Sequence, residues 1–179
     1  MRHWLNRRID RRRFLKASGG TAAGLAVAGC TVTAEEQQGT AQQEAPKATL
    51  PYPRTAIARA SELTVDEPVT FNYPDEQSPC ALLKTGRPVD GGVGPEGDIV
   101  AYSTLCSHMG MPLTYDAEAR TFKCFEHFSI FDPELRGQQV CGQATDDLPR
   151  IQLTYDESSD ELSAIGVAGL IYGRASNIL

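Results

Sequence analysis

The sequence predicts an all-β domain, on three observations. From residue 51 onward, short apolar runs alternate with clusters of turn-forming residues, as expected of strands joined by tight connections. No stretch of this body holds a 3.6-residue apolar period long enough for a packed helix. Two polar clusters, D-A-E-A-R at 116–120 and D-E-S-S-D at 156–160, fall between such runs, where hairpin turns are needed. With 179 residues and a hydrophobic fraction of 41%, the chain is long enough for one packed domain preceded by a leader.

The first 34 residues stand apart by charge. They carry seven of the 17 basic side chains and one of the 23 acidic ones, which leaves a net charge of −12 for residues 35–179. A body this acidic argues against nucleic acid, which attracts a basic face. It suits a basic protein partner or a plain soluble surface. Arg11 and Arg12 form a twin-arginine pair, followed by Arg13, Phe14, Leu15 and Lys16 and then a Gly/Ala-rich run. This resembles a Tat export signal, an address rather than an anchor. The run from Ala17 to Ala34 is interrupted by Ser, Thr, Gly and Cys, and a spanning helix needs about 20 apolar residues. Val32-Thr33-Ala34 offers a cleavage point. Val27-Ala28-Gly29-Cys30 resembles a lipoprotein box, with Cys30 as the lipidated residue and a membrane association as the consequence. The Tat route carries folded proteins, so this leader implies a periplasmic address and a cofactor inserted beforehand.

Residues 35–50 are polar and poor in aromatics and read as a linker, leaving 51–179 as the domain. Its expected strands are T-A-I-A-R (55–59), P-V-T-F-N-Y (68–73), C-A-L-L-K (80–84), I-V-A-Y-S (99–103), T-F-K-C (121–124), R-I-Q-L-T-Y (150–155), E-L-S-A-I-G-V (161–167) and L-I-Y-G (170–173). Gly92, Gly94 and Gly97 match G-x-G-x-x-G, but that fingerprint works only where a strand turns into a helix. Here Pro95 lies inside it and a strand follows, so a hairpin loop is the reading.

The chemistry lies in the histidines. Of three, His3 is in the leader, and the other two each follow a cysteine closely: Cys106-Ser107-His108 and Cys124-Phe125-Glu126-His127. The pattern is C-x-H-x15-C-x-x-H. Two Cys and two His can hold zinc, but zinc pairs usually leave two to four residues between ligands. Two loops that each offer one thiolate and one imidazole suit two adjacent irons better, one held by both Cys106 and Cys124, the other by both His108 and His127. This is the arrangement of the Rieske 2Fe–2S proteins, and the sequence resembles that family closely. Neutral imidazoles in place of two anionic thiolates make such a cluster accept an electron more readily, with potentials of roughly −150 to +300 mV. The outer nitrogens of His108 and His127 can carry protons that reduction favours, so the potential falls as those protons leave with rising pH.

The resemblance implies more. The fold becomes stacked antiparallel sheets with a cluster-binding subdomain at one end. Ser129 occupies a position where Rieske proteins often place a hydroxyl against a bridging sulfide, which raises the potential. Phe131 stands where high-potential members place a tyrosine. Met111 and Glu126 stand where proteins of the cytochrome bc type place the two cysteines of a loop disulfide. A potential below that type is the expectation. Cys80 and Cys141 read as small buried hydrophobes, with a mutual disulfide as the alternative. The loop Q-A-T-D-D-L-P-R (143–150) either folds over the cluster or is a plain connection.

Within the family, the body from about residue 55 resembles the small subunit of arsenite oxidase. The stretches Y-P-D-E-Q-S-P-C (73–80), C-S-H-M-G-M-P-L (106–113), V-C-G-Q-A-T-D-D-L-P-R (140–150) and G-L-I-Y-G-R (169–174) carry that likeness. It implies a heterodimer in which a large molybdopterin subunit handles the oxyanion and this chain relays electrons to a c-type cytochrome or copper protein. The Rieske subunit of iodate reductase is a related alternative with the opposite electron flow, and a free-standing periplasmic carrier is another.

Overall fold

The computed structural model describes residues 52–178. The leader, the linker and Cys30 lie outside them.

Ten strands form: β1 Thr55–Arg59, β2 Val69–Asn72, β3 Pro79–Lys84, β4 Ile99–Ser103, β5 Thr114–Asp116, β6 Thr121–Lys123, β7 Ile130–Asp132, β8 Gln138–Cys141, β9 Arg150–Asp156 and β10 Glu161–Ala168. The only helical pieces among the described residues are 3₁₀ turns at Ala60–Glu62 and Pro133–Leu135. A six-stranded sheet runs β1-β10-β9-β4-β3-β2 and a four-stranded sheet runs β5-β6-β7-β8. Every strand pairing is antiparallel. The all-β expectation holds.

The apolar runs of β3 and β4 are continuous because both strands are covered on both faces. Cys80, Leu82, Ile99 and Ala101 enter a core enclosed by the six-stranded sheet, with Ile151, Leu162, Ala164 and Ile171. The intervening Ala81, Leu83, Val100 and Tyr102 point the other way, against Phe122 and Phe131 of the four-stranded sheet. The period-2 alternation of side chains makes β3 and β4 the shared wall between two cores. Tyr102 also reaches across to donate its hydroxyl to the Pro133 carbonyl at 2.7 Å.

A charged clamp adds to this apolar joint. Arg120, in the β5–β6 turn, donates to Glu134 Oε1 from Nε (3.0 Å) and Nη2 (2.8 Å), and also to Asp66 and the Thr85 carbonyl. Tyr115 Oη donates to the same Asp66 at 2.8 Å. One guanidinium thus binds the four-stranded sheet to the β1–β2 connection and to the end of β3.

Seven expected strands are found, with ends displaced by no more than two residues. The eighth, L-I-Y-G at 170–173, is a turn instead, closed by the Arg174 N–H on the Ile171 carbonyl at 3.2 Å. The Asn177 side chain takes the Ile171 N–H at 2.9 Å and donates to the Gly169 carbonyl at 2.7 Å, so these groups serve a side chain rather than a ladder. Three short strands, β5, β7 and β8, complete the smaller sheet. Both predicted hairpin turns form, and the glycine-rich stretch connects β3 to β4 through a Val93–Ile99 bridge.

Candidate cluster site

The topology of the four-stranded sheet decides where the site is. In an antiparallel meander, the start of β5, the end of β6, the start of β7 and the end of β8 all lie at one end. Three loops leave from that end: 104–113 before β5, 124–129 between β6 and β7, and 142–149 after β8. The first two contain the C-x-H and C-x-x-H pairs.

Those two loops are built alike. The Cys106 N–H donates to the Met111 carbonyl at 2.8 Å, and the Cys124 N–H donates to the Ser129 carbonyl at 2.8 Å. Each cysteine therefore closes its loop onto the residue five positions ahead and turns its side chain inward. Cys106 and Cys124 are both buried. Burial pushes the Cys106 thiol up, the backbone N–H of His108 works against this, and the neighbouring Cys124 thiol adds to the rise. The imidazoles stand apart from the thiols as a second pair. The rings of His108 and His127 are 4.8 Å apart between centroids, at 89° to each other. His127 is exposed and His108 half-buried.

Do these residues fit a two-iron cluster? His108 Nδ1 is buried and has no hydrogen-bond partner, an expensive condition for a ring nitrogen unless it binds a metal. Among the described residues, no three His, Cys, Asp or Glu side chains converge as a single ion requires. A two-iron cluster needs only two protein ligands per iron, and two pairs are what the loops supply. The donor set fits.

All four described cysteines are free. Met111 packs part-buried against the core that holds Cys106 and Cys124, and Glu126 is exposed, so no disulfide links the two loops. Cys80 is buried in β3, where its thiol is pushed up to about 12, chiefly by burial. Cys141 is exposed in β8, against the expectation that it packs as a buried hydrophobe. β8 is the edge strand of the smaller sheet, and Cys141 is its last residue, paired on one side only, with Ile130.

Ser129 is fully buried, and its Oγ accepts the Ala144 N–H at 3.0 Å. That bond uses a lone pair and leaves the hydroxyl proton to be donated elsewhere. Phe131 is fully buried in the same core as both cysteines and brings no hydroxyl. The third loop does fold onto the site. Besides the bond from Ala144, it receives the Ser107 hydroxyl at the Asp146 carbonyl, 2.6 Å away. Gly142 lies so close to the second loop that a Cβ would fall 2.4 Å from the Phe128 carbonyl oxygen and from Ser129 Cα. Only glycine permits that approach.

The rim around the imidazoles is apolar. Met109, Phe125 and Phe128 are 53%, 67% and 72% exposed. Phe128 holds φ at +61°, a left-handed conformation uncommon for a bulky residue. An open groove of about 860 Å³ runs beside the first loop, lined in part by Ser107, Asp146, Leu170 and Tyr172. Sequence reasoning had no signal for the contacts of Ala144, Asp146 and Tyr172, which work through backbone groups or ring carbons.

A model of the Rieske [2Fe-2S] domain matches residues 54–152. The chain is 38% identical to iodate reductase subunit IdrB of Denitromonas iodatirespirans, over 94% of this chain and 86% of that one. It is 39% identical to the subunit of the same name from Pseudomonas sp. (strain SCT), over 92% and 82%. Among solved structures, the soluble domain of Rieske protein II from Sulfolobus acidocaldarius superimposes with a TM-score of 0.60 at 25% identity, covering 69% of this chain and 82% of that one. With paired thiols, paired imidazoles and the antiparallel sheets that carry them, this chain belongs to the Rieske [2Fe-2S] domain family and binds a 2Fe–2S cluster of the Rieske type.

Proposed function

We propose that this protein is the electron-transfer subunit of a periplasmic molybdenum oxidoreductase of the iodate reductase type. Cys106 and Cys124 hold one iron of its cluster, and His108 and His127 hold the other. The observation that carries the ligand assignment is the pair of buried thiols beside a pair of imidazoles, with His108 Nδ1 buried and unpartnered. The choice of enzyme rests on the two iodate reductase subunits that align with nearly the whole chain. The sequence resemblance led first to arsenite oxidase, and these relatives favour the alternative.

When bound, the cluster takes up and releases one electron. The chain's own residues do the rest. The buried thiolates of Cys106 and Cys124 and the imidazoles of His108 and His127 would hold the two irons. The Ser129 hydroxyl, whose proton is left over by the bond from Ala144, would donate toward the charge that reduction adds. The exposed ring of His127, with the half-buried ring of His108 beside it, offers the electron a way out of the protein. The oxyanion chemistry belongs to the large molybdopterin subunit. A c-type cytochrome or copper protein exchanges electrons at the other side. The twin-arginine leader would export the folded subunit, together with its partner if the partner has no signal of its own.

The test is the co-purified complex, assayed for iodate reduction with a reduced dye and for arsenite oxidation with an oxidised one. Iodate reduction without arsenite oxidation is expected. The reverse would assign the arsenite oxidase reading. Electron paramagnetic resonance of the reduced subunit should show the rhombic signal of mixed nitrogen and sulfur ligation, lost in His127→Ala. Bound zinc with no such signal would end the ligand assignment.

A further inference from the structure

Gly110 lies in the first cluster loop, two residues after His108, with φ at +69°. A Cβ built there would fall 2.4 Å from Cδ1 and 2.8 Å from Cε1 of Tyr172. The tyrosine ring therefore rests directly on the backbone of that loop. It comes from a distant part of the chain, the turn Ile171–Arg174 after β10.

That turn is anchored at three points. Ile171 is fully buried in the core of the six-stranded sheet. Arg174 grips Asp75 with both terminal nitrogens, at 2.7 and 2.8 Å. Asn177 binds the Ile171 N–H and the Gly169 carbonyl. Tyr172 itself remains 41% exposed, so its own burial contributes little of the reason for such anchoring. What the anchoring does is hold the Cδ1–Cε1 side of an aromatic ring against Gly110.

We propose that Tyr172 is a positioning residue for the cluster, clamping the first loop from outside where Met111 and Glu126 leave it without a disulfide. The proposal rests on the ligand assignment above. Besides the packing of Met111 and Leu113 on the core, two other segments reach the tip of this loop. The third loop holds Ser107 through the Asp146 carbonyl. The C-terminal turn holds Gly110 through the Tyr172 ring. Gly110 has no side chain with which to hold itself, and His108 moves with it. Removing the ring lets the loop open and exposes the irons.

The experiment compares the cluster-loaded protein with Tyr172→Ala, Tyr172→Phe and Arg174→Gln. The readouts are the rate of bleaching of the visible absorption under a chelator and the resonance spectrum of the reduced cluster. Tyr172→Ala should lose its cluster roughly fivefold faster or more, the factor that about 1 kcal/mol of lost loop stability implies. Its spectrum should broaden as the imidazoles become less uniformly placed. Tyr172→Phe should match the parent, because the contact is made by ring carbons. Arg174→Gln, which loosens the turn without touching the loop, should fall between. Parent-like behaviour of Tyr172→Ala in both readouts, or a Phe variant as damaged as the Ala one, overturns the proposal. If Tyr172→Ala does not accumulate as folded protein, Arg174→Gln decides, and a parent-like bleaching rate there overturns it. A parent protein with no Rieske signal overturns the ligand assignment itself, a failure separate from any difference among the variants.

Discussion

Ser129 does two things with one oxygen. It accepts from the Ala144 N–H, which fastens the third loop, and its proton is left for an acceptor inside the site. A hydrogen bond to a charged group contributes about 1.5–3 kcal/mol, and only the difference between redox states moves a potential. For a one-electron couple, about 59 mV corresponds to a tenfold change in equilibrium, or roughly 1.4 kcal/mol. Ser129→Ala should lower the midpoint potential by on the order of 60 mV in a redox titration. It should also cost about 1 kcal/mol of stability in a denaturant melt, because the buried Ala144 N–H loses its acceptor. The proposed donor role follows from the position of Ser129 after His127. The acceptor role was not, since Ala144 lies fifteen residues away and contributes only a backbone amide.

The longer strands were legible as elements because each carries a pattern that nothing else explains. C-A-L-L, between Pro79 and Lys84, and I-V-A-Y, between Asp98 and Ser103, are continuous apolar runs, and both form the wall between two cores. The three missed strands are three or four residues long and offer one or two inward side chains each, too few for a period to show. They are strands because their neighbours pair with them. The stretch 170–173 fails in the opposite sense: the apolar run Leu170-Ile171-Tyr172 imitates a short strand, but Asn177 takes the Ile171 N–H and the Gly169 carbonyl. Between the sheets, Arg120 is the charged joint. It is about a third exposed, so its pairs are weaker than fully buried ones, yet its loss takes the cation from Asp66 and leaves Glu134 with Arg87 alone. Arg120→Ala should lower unfolding stability by about 2 kcal/mol. Arg120→Lys should recover less than half, since an ammonium cannot reproduce the planar fork. The reduced cluster's resonance spectrum should be unchanged in both, because the joint lies away from the cysteines and histidines.

At the scale of the whole domain, the C-terminal turn is tied to the loop after β2 by Asp75 and Arg174. Hydrogen bonds from the Arg174 guanidinium hold the Asp75 carboxyl down, from its ordinary 3.8 to about 2. A carboxylate depressed by folding stabilises the native state at pH above its unfolded value, and that contribution fades as pH falls through the folded value. The window is therefore about pH 4 down to about pH 2. Thermal melts of the parent and Asp75→Asn should differ most at neutral pH and converge across that window. A constant difference would mean that the pair contributes by shape rather than charge.

The sequence by itself determined the class of fold and the cofactor's chemistry, and it supplied the four residues proposed to bind it. Those depend on residue type and short spacing: alternating apolar runs make strands, and C-x-H with C-x-x-H supplies two thiols and two imidazoles. Only the tertiary structure decided how the loops are held. The antiparallel order of β5 to β8 brings three connections to one end. Ser107, Ser129 and Gly110 are then met by partners 15 to 62 residues away, through a carbonyl, an amide and ring carbons. Such contacts carry no local pattern, because backbone groups are the same at every position and a ring's neighbour is chosen by the fold.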